Sequence, residues 1–433
     1  MFPHTWREVV LDDICESITV GHVGSMASEY TDKGVPFLRS QNVEPFRLDL
    51  TNLKFVSQEF HAKLAKSALE PGDVVVVRTG YPGTACVIPP GLLSSNCSDL
   101  VIVKVGKQAL PDYLVALFNS SWGRRSIQGR LVGVAQQHFN VSAAKKMRIR
   151  LPPLEQQERV SWILRGFNDL IENNRRRIQI LEEMARPIYR EWFVRFRFPG
   201  HEEVEMVDSE TGQIPEGWTE TTVENAFEIT GGGTPSTKNP EFWEEGIINW
   251  YTPSDLTSSK SMFMDESGKK ITELGLRRSS ARMFPARSVM MTSRATIGFV
   301  SINTTPACTN QGFITCIPNE RVSECHIYFW LLDNVERFLS LGTGTTYKEI
   351  IKSVFRTIEF LLPPVELMRK YTELVNPMCE LILNLLRLNR NLTASRDSLL
   401  PKLVSGQLDV SGFDIGTLDS NQETSKYKGR STL

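Results

Sequence analysis

Leu151-Pro152-Pro153-Leu154-Glu155 returns as Leu362-Pro363-Pro364-Val365-Glu366, 211 residues further on, and each copy opens a long stretch of helical periodicity. Upstream, Pro3-x-x-Trp6 returns as Pro215-x-x-Trp218 at an offset of 212, so the two copies keep step across a whole domain. Self-similarity at so long a period means two equivalent modules, not a solenoid of short repeats. A chain that carries one module twice presents two similar surfaces to something two-sided.

The helical stretches carry a regular seam. Val160, Ile163, Phe167, Leu170, Asn174, Arg177, Leu181, Met184 and Ile188 advance by alternating steps of three and four. The offset of 211 gives Tyr371, Leu374, Met378, Leu381, Leu385, Leu388, Leu392, Ser395 and Leu399. Such spacing, sustained over several heptads, marks helices that pair lengthwise. Proline is tolerated at each start because first-turn amides have no partner within the helix. A run of ~40 residues spans about 60 Å. Asn174 and Arg177 interrupt the first seam: a buried polar residue there can fix register, and the alternative is that Arg177 lies at the solvent edge. Pro377 lies inside the second helix and predicts a kink near Asn376.

Outward from the helices, residues 1–150 and 214–361 contain short strand-like runs punctuated by turns. Pro71-Gly72-Asp73 leads into Val74-Val75-Val76-Val77, and Phe313-Ile314-Thr315-Cys316-Ile317 is a similar run in the second copy. The expected fold class is α+β: two β-rich modules, 1–150 and 214–361, separated by long helices over 151–198 and 362–406. Residues 199–213 read as an acidic linker, and 407–433 as a Ser-, Thr- and Asp-rich disordered tail.

With 433 residues and ordinary apolar and charged fractions, the chain is of globular type. Neither a signal peptide nor an apolar run of membrane-spanning length is expected. Seven scattered cysteines without a C-x-x-C pair argue for reduced thiols in a cytoplasmic setting and against structural zinc. Net charge is −1, and only residues 1–150 are basic, with 17 Lys and Arg against 13 Asp and Glu. Global charge therefore does not advertise a nucleic-acid binder, while leaving room for a local basic groove.

Catalytic signatures are absent from the sequence. There is no Walker A loop and no Gly-x-Ser-x-Gly elbow, and the six histidines form no His-x-x-x-His pair. Gly231-Gly232-Gly233-Thr234-Pro235 reads as a surface loop instead of a phosphate cradle, since Pro235 follows and no periodic helix does. Asn239-Pro240-Glu241-Phe242 resembles an adenine-methyltransferase motif, but Glu241 stands where a second proline belongs. No catalytic residue, metal site or cofactor is expected.

Taken together, the repeated Pro-x-x-Trp, β-rich module, Leu-Pro-Pro-Leu/Val-Glu and long helix resemble the specificity (S) subunit of type I restriction–modification systems. Further points of likeness are Gly231 to Pro240, Ser293-Arg294-Ala295-Thr296-Ile297-Gly298, Asn310-Gln311-Gly312-Phe313 and Leu400-Pro401-Lys402-Leu403-Val404-Ser405-Gly406. The first half matches more loosely, with Arg78-Thr79-Gly80-Tyr81-Pro82-Gly83 where the second has Ser293 to Gly298.

The resemblance implies two target-recognition domains in pseudo-two-fold repeat, each reading half of a bipartite sequence in double-stranded DNA. The helices would pair as an antiparallel coiled coil. Two modification (methyltransferase) subunits and a restriction subunit would assemble on the chain, which would itself be non-catalytic. Two competing readings are a stand-alone methyltransferase or nuclease with a cryptic site, and a coiled-coil scaffold that binds proteins only.

Base reading calls for hydrogen-bonding side chains on loops that reach groove edges. In the first module the candidates are Arg39, Gln41, Asn42, Arg78, Thr79, Tyr81, Gln136, Gln137 and His138. In the second they are Thr234, Ser236, Lys238, Thr252, Ser254, Ser293, Arg294, Asn310, Gln311, Thr346, Tyr347 and Lys348. Arg124-Arg125 and Lys145-Lys146 read as phosphate contacts or a solvated face. Trp6 and Trp218 read as core anchors, and Trp192-Phe193 with Phe196 as residues buried against a module or a partner.

Overall fold

The computed structural model describes residues 6–92, 94–131, 138–210, 212–344 and 347–413. These fall into two compact units, 1–172 with 389–433, and 173–388. Both long helices are divided between the units, so each unit is built from one module and a segment of each helix.

In the first unit an antiparallel sheet runs in the order Cys15–Val20, Leu100–Val105, Val74–Val77, Ala85–Val87. Val74 to Val77 are all buried, which explains a strand of unbroken valine: its two faces both meet core, and β-branched side chains fit a pleated, covered surface. A second sheet contains Asn96–Cys97, Val35–Leu38, Lys54–Val56 and Tyr30–Thr31. The second unit repeats the plan. Its main sheet orders Glu228–Gly231, Phe313–Ile317, Val289–Thr292, Val300–Asn303 and Phe263–Met264, and a smaller one holds Lys269–Ile271, Ile248–Tyr251 and Ala307–Thr309.

The repeated boundary motifs have a structural cause. Arg7–Val10 pairs antiparallel with Arg148–Leu151, Arg7 opposite Leu151; Thr219–Thr222 pairs with Glu359–Leu362, Thr219 opposite Leu362. The chain thus enters and leaves each module on neighbouring strands. Trp6 Nε1 donates to Gln156 Oε1 at 2.8 Å. Trp218 is buried among Phe193, Phe196 and Phe198, with ring centroids 5.3–6.0 Å away.

The helices span Leu154–Phe193 and Val365–Val404. Within the first unit they run antiparallel: Asn389 Nδ2 donates to the Ile171 carbonyl (3.3 Å), and Arg396 Nη1 to Asn168 Oδ1 (2.8 Å). Val160 and Leu164 share a core with Leu400, Leu403 and Val404. In the second unit the Phe193 ring sits 4.8 Å from that of Tyr371, and Trp192, Tyr189 and Ala185 join the same core.

The expected seam holds only in part. Leu170, Met184, Leu374, Leu381 and Leu388 are exposed, while Leu164, Ile171, Ala185, Tyr189, Val375, Cys379 and Ile382 are buried. A strict 3.5-residue seam drifts around a 3.6-residue helix, and these helices pack against a module as well as one another, so the buried stripe lies a step further round. Asn174 is buried and Arg177 exposed, which divides the two readings of that interruption. Both helices continue through internal prolines, Pro187 in the first and Pro377 in the second.

Two further differences concern the segments read as linker and tail. Met206–Ser209 and Gly212–Pro215 form an antiparallel hairpin. Val410 is buried and the Phe413 ring lies 5.5 Å from Trp162; residues 414–433 lie outside the described residues.

Candidate nucleic-acid interface

In each unit most of the described candidate residues lie where strands of the two sheets end. Four loops meet there, and backbone hydrogen bonds fix them in the same way in both units.

The clearest correspondence is between residues 78–83 and 293–298. Val77 N donates to Thr84 O (2.8 Å) and Thr292 N to Phe299 O (2.9 Å); Gly83 N donates to Val77 O (3.1 Å) and Gly298 N to Thr292 O (3.0 Å). Gly80 and Ala295 occupy the left-handed region at φ +80° and +62°, as do Gly83 and Gly298 at +95° and +99°. At Ala295 this conformation costs roughly 1–2 kcal/mol, and it is held by a bond from Ala295 N to Lys348 O (2.9 Å). The loop before each long helix docks alike: Phe139 N donates to Arg78 O (3.1 Å) and Ile350 N to Ser293 O (3.0 Å).

The loop after Val35–Leu38 matches the loop after Ile248–Tyr251. Arg39 N donates to Asn42 Oδ1 (3.0 Å), and Thr252 N to Asp255 Oδ2 (2.7 Å), closing reciprocal capping turns at equivalent positions. The neighbouring loop is tied on by Ser98 N to Leu38 O and Asn310 N to Tyr251 O, each 3.0 Å. Such a frame holds side chains on short loops without further ordering on binding.

The side chains on this common frame differ. In the second unit Ser254, Arg294, Asn310, Gln311 and Tyr347 line one concavity of about 350 Å³, together with Thr257 and Thr296. Thr234 joins them through its hydroxyl, which donates to Gln311 Oε1 at 2.7 Å. Tyr347 is 64% exposed, and Arg294 forms a 3.7 Å ion pair to Glu349. Lys348, exposed, reaches the Leu339 carbonyl at 3.5 Å. The concavity therefore offers a guanidinium, two amides, hydroxyls and an aromatic face.

In the first unit an acidic residue organises the corner. Asp99, at φ +53°, accepts from the Thr79 hydroxyl and lies 3.1 Å from Arg78 Nη1, and its carbonyl accepts from the Ser40 hydroxyl at 3.2 Å. Arg78 Nε also donates to Phe139 O at 3.2 Å. Tyr81 and Gln41 are exposed at the loop tips. Arg39 reaches Asn52 O at 2.7 Å and stacks over Tyr30, while half-buried His138 forms part of the adjoining loop.

Several candidates sit in supporting positions. Asn42 is buried, with its amide nitrogen bonded to Asp49 O (2.9 Å). Ser293 is buried, and the Thr252 hydroxyl is spent on Asp255 (2.6 Å). Ser236 and Lys238 are exposed on the loop beyond Thr234, outside the concavity lining. Gln136, Gln137 and Thr346 lie outside the described residues. Sequence reasoning misses Asp99, because an acidic group is not expected at a surface for an anionic ligand. The short charge separation between it and Arg78 is a tertiary fact.

Other candidates for chemistry lead elsewhere. Asn239 caps the turn Pro240–Phe242 through Oδ1 to Glu241 N (3.2 Å), a structural role for the methyltransferase-like tetrapeptide. His326 is buried among Phe193, Tyr189 and Tyr371, and burial lowers its pKa to about 3. Among the described residues no group of three or more His, Cys, Asp or Glu could hold a metal ion, and no helix is long and apolar enough to cross a membrane.

A family model for the type I restriction modification DNA specificity domain matches residues 3–183 and 215–370. The chain is 33% identical over 195 residues to the type I restriction enzyme MjaIX specificity subunit of Methanocaldococcus jannaschii, covering 45% of this chain and 44% of that one. It is 23% identical over 420 residues to the putative MjaX specificity subunit of the same organism, covering 94% and 95%. Thus the chain spans less than half of the first relative and nearly all of the second. A crystal structure of a type I restriction-modification S subunit from M. genitalium superposes with a TM-score of 0.53 at 14% identity, covering 92% of this chain and 96% of that one, which speaks to fold alone.

Proposed function

The chain belongs to the type I restriction modification DNA specificity family, and from that premise we propose that it reads a bipartite double-stranded DNA target. The loop corner of each unit contacts one half-site. What supports this reading is the pairing of a shared backbone frame with different side chains: Arg78, Thr79 and Tyr81 on one copy, Ser293, Arg294 and Thr296 on the other. Two modules that read different sequences need a common docking geometry and divergent base-facing groups. A scaffold that binds only proteins has no use for that divergence.

Within this reading Arg294, Gln311, Asn310 and Ser254 face bases, Gln41 and Tyr81 do so in the first unit, and Asn42, Thr252, Ser293 and Arg78 hold the loops. The remaining candidates, Arg39, Thr79, Gln136, Gln137, His138, Thr234, Ser236, Lys238, Thr346, Tyr347 and Lys348, are assigned to the surrounding DNA surface. The chain has no catalytic role: two modification subunits and a restriction subunit supply the chemistry and assemble on it in the cytoplasm. Exposed Leu170, Met184, Leu374, Leu381 and Leu388 on the long helices are the apolar side chains such partners would cover.

Methylome sequencing of cells that express the chain with its modification subunits tests the reading. A new methyl-adenine motif of two short blocks with a fixed gap is the expected outcome. An assembled, active complex with no motif of its own favours the scaffold reading.

A further inference from the structure

The glycine run of the second unit leaves no room for side chains. A Cβ on Gly232 would meet the Thr309 carbonyl oxygen at 1.9 Å, and one on Gly233 the Ser280 hydroxyl at 2.2 Å. On Gly231 the obstacle is different: it would lie 1.7 Å from Lys352 Nζ. A lysine ammonium is thus laid against bare backbone at the end of the strand Glu228–Gly231.

Lys352 is half-buried there and has two cationic neighbours. Burial, then repulsion from Arg282 and Arg356, holds its ammonium below the ordinary lysine range, while Glu349 acts in the opposite sense. Glu349 is itself directed to Arg294. Among the described residues no carboxylate lies at ion-pair distance from Lys352, Arg282 or Arg356. Arg356 lies one turn after Lys352 in the helix Lys352–Arg356, and Arg282 lies two residues after Ser280, whose hydroxyl meets the Gly233 position. With Glu349 shared with Arg294, three cations near one strand end leave an excess of positive charge that favours an incoming anion. The first unit makes the contrast: Lys145, which matches Arg356 at the 211 offset, is neutralised by Asp12 at 3.2 Å.

None of the three cations lines the concavity described above. The cluster adjoins it through the chain, since Gly231 precedes by three residues Thr234, which donates to Gln311 of the concavity. We propose that Lys352, Arg282 and Arg356 form a clamp for a backbone phosphodiester of DNA beside the base-reading surface, with the bare Gly231 backbone giving the lysine its place. The proposal rests on the DNA-specificity reading. The lysine supplies a point charge and the arginines planar donor forks, a set suited to a phosphate group. Such a clamp positions the duplex and carries no sequence information.

The test uses the full chain assembled with its modification subunits and a duplex carrying its methylated motif, with dissociation constants measured across potassium chloride concentrations. Lys352→Met keeps the aliphatic stem over Gly231 and removes the charge; Arg356→Ala is the second variant. Each is expected to reduce the slope of log affinity against log salt by about one. Binding to specific and unrelated duplexes should weaken by the same factor, while the methylated motif and partner assembly stay as in the wild type and the melting temperature does not fall. Unchanged slopes for both variants overturn the clamp, as does a changed motif, which makes these residues base readers. In either case a motif altered by Arg294→Ala in the same complex leaves the DNA reading standing. Charge-dependent stabilisation by inorganic phosphate with an unchanged DNA slope assigns the site to free phosphate and overturns the DNA source. A wild-type complex with no preferred motif overturns the DNA reading and the clamp together.

Discussion

Replacing Asp99 asks whether the corner of the first unit is a preassembled platform. Its carboxylate takes the Thr79 hydroxyl and faces Arg78 at 3.1 Å, and its carbonyl takes the Ser40 hydroxyl, so one residue ties three loops. The Arg78 side chain is only 12% exposed and that of Asp99 39%. An exposed pair contributes about 0.2–1 kcal/mol, whereas uncovering one member of a buried pair costs about 3–5. Here one end is covered and the other open, and Arg78 Nη1 faces Asp99 without a hydrogen-bonding angle. A loss of about 1–2 kcal/mol for Asp99→Ala follows. In a double-mutant cycle with Arg78→Ala, read by urea denaturation, the coupling should be on the order of 1 kcal/mol. Both single variants should also blur the DNA block read by the first unit, because residues 78–83 lose their anchor. Additivity within about 0.3 kcal/mol, with the block intact, would show that Arg78 acts alone and refute the platform.

Neighbouring residues of one loop should separate by role: Asn42→Ala should lower stability by about 1–2 kcal/mol in thermal denaturation, whereas Gln41→Ala should stay within about 0.5 kcal/mol and alter DNA selectivity instead. Arg294→Ala should relax one position of the motif, at about 1–3 kcal/mol of lost discrimination in competition binding, with the melting temperature unchanged. Burial and then Glu183 push Glu182 up to about 7, so the folded state holds this proton more firmly than the unfolded chain. The favourable contribution is present below the ordinary value of 4.5 and is lost as pH rises through about 7. Glu182→Gln should therefore raise stability at pH 8 by on the order of 1 kcal/mol and hardly at all below pH 4.5, and equal shifts at both pH values would contradict this.

What could be read from the sequence was what repeats. The Leu-Pro-Pro and Pro-x-x-Trp motifs mark the strands that close each module, and their offsets survive because the exit strand must meet the entering one in register. Loops 78–83 and 293–298 could be matched through their glycines, whose positive φ values leave a trace in composition. The face of the helices was less legible. Leu170 and Ile171 are adjacent and both apolar, and only packing decides that Ile171 is buried and Leu170 exposed. Likewise Arg39, Arg78 and Arg294 are equivalent as letters. That Arg78 is covered and paired, Arg39 bonded to backbone and Arg294 half-exposed beside Glu349 depends on Asp99, Asn52 and Glu349, contributed from elsewhere in the chain.

The most direct measurement of the central claim is methylome sequencing of a complex in which only the second-unit concavity is changed, by Ser254→Ala, Arg294→Ala and Gln311→Ala together. One of the two blocks should become degenerate while the other block and the gap between them stay as in the wild type. Loss of both blocks together, or of neither, with the complex assembled and methylating DNA, would contradict the assignment of one half-site to each unit.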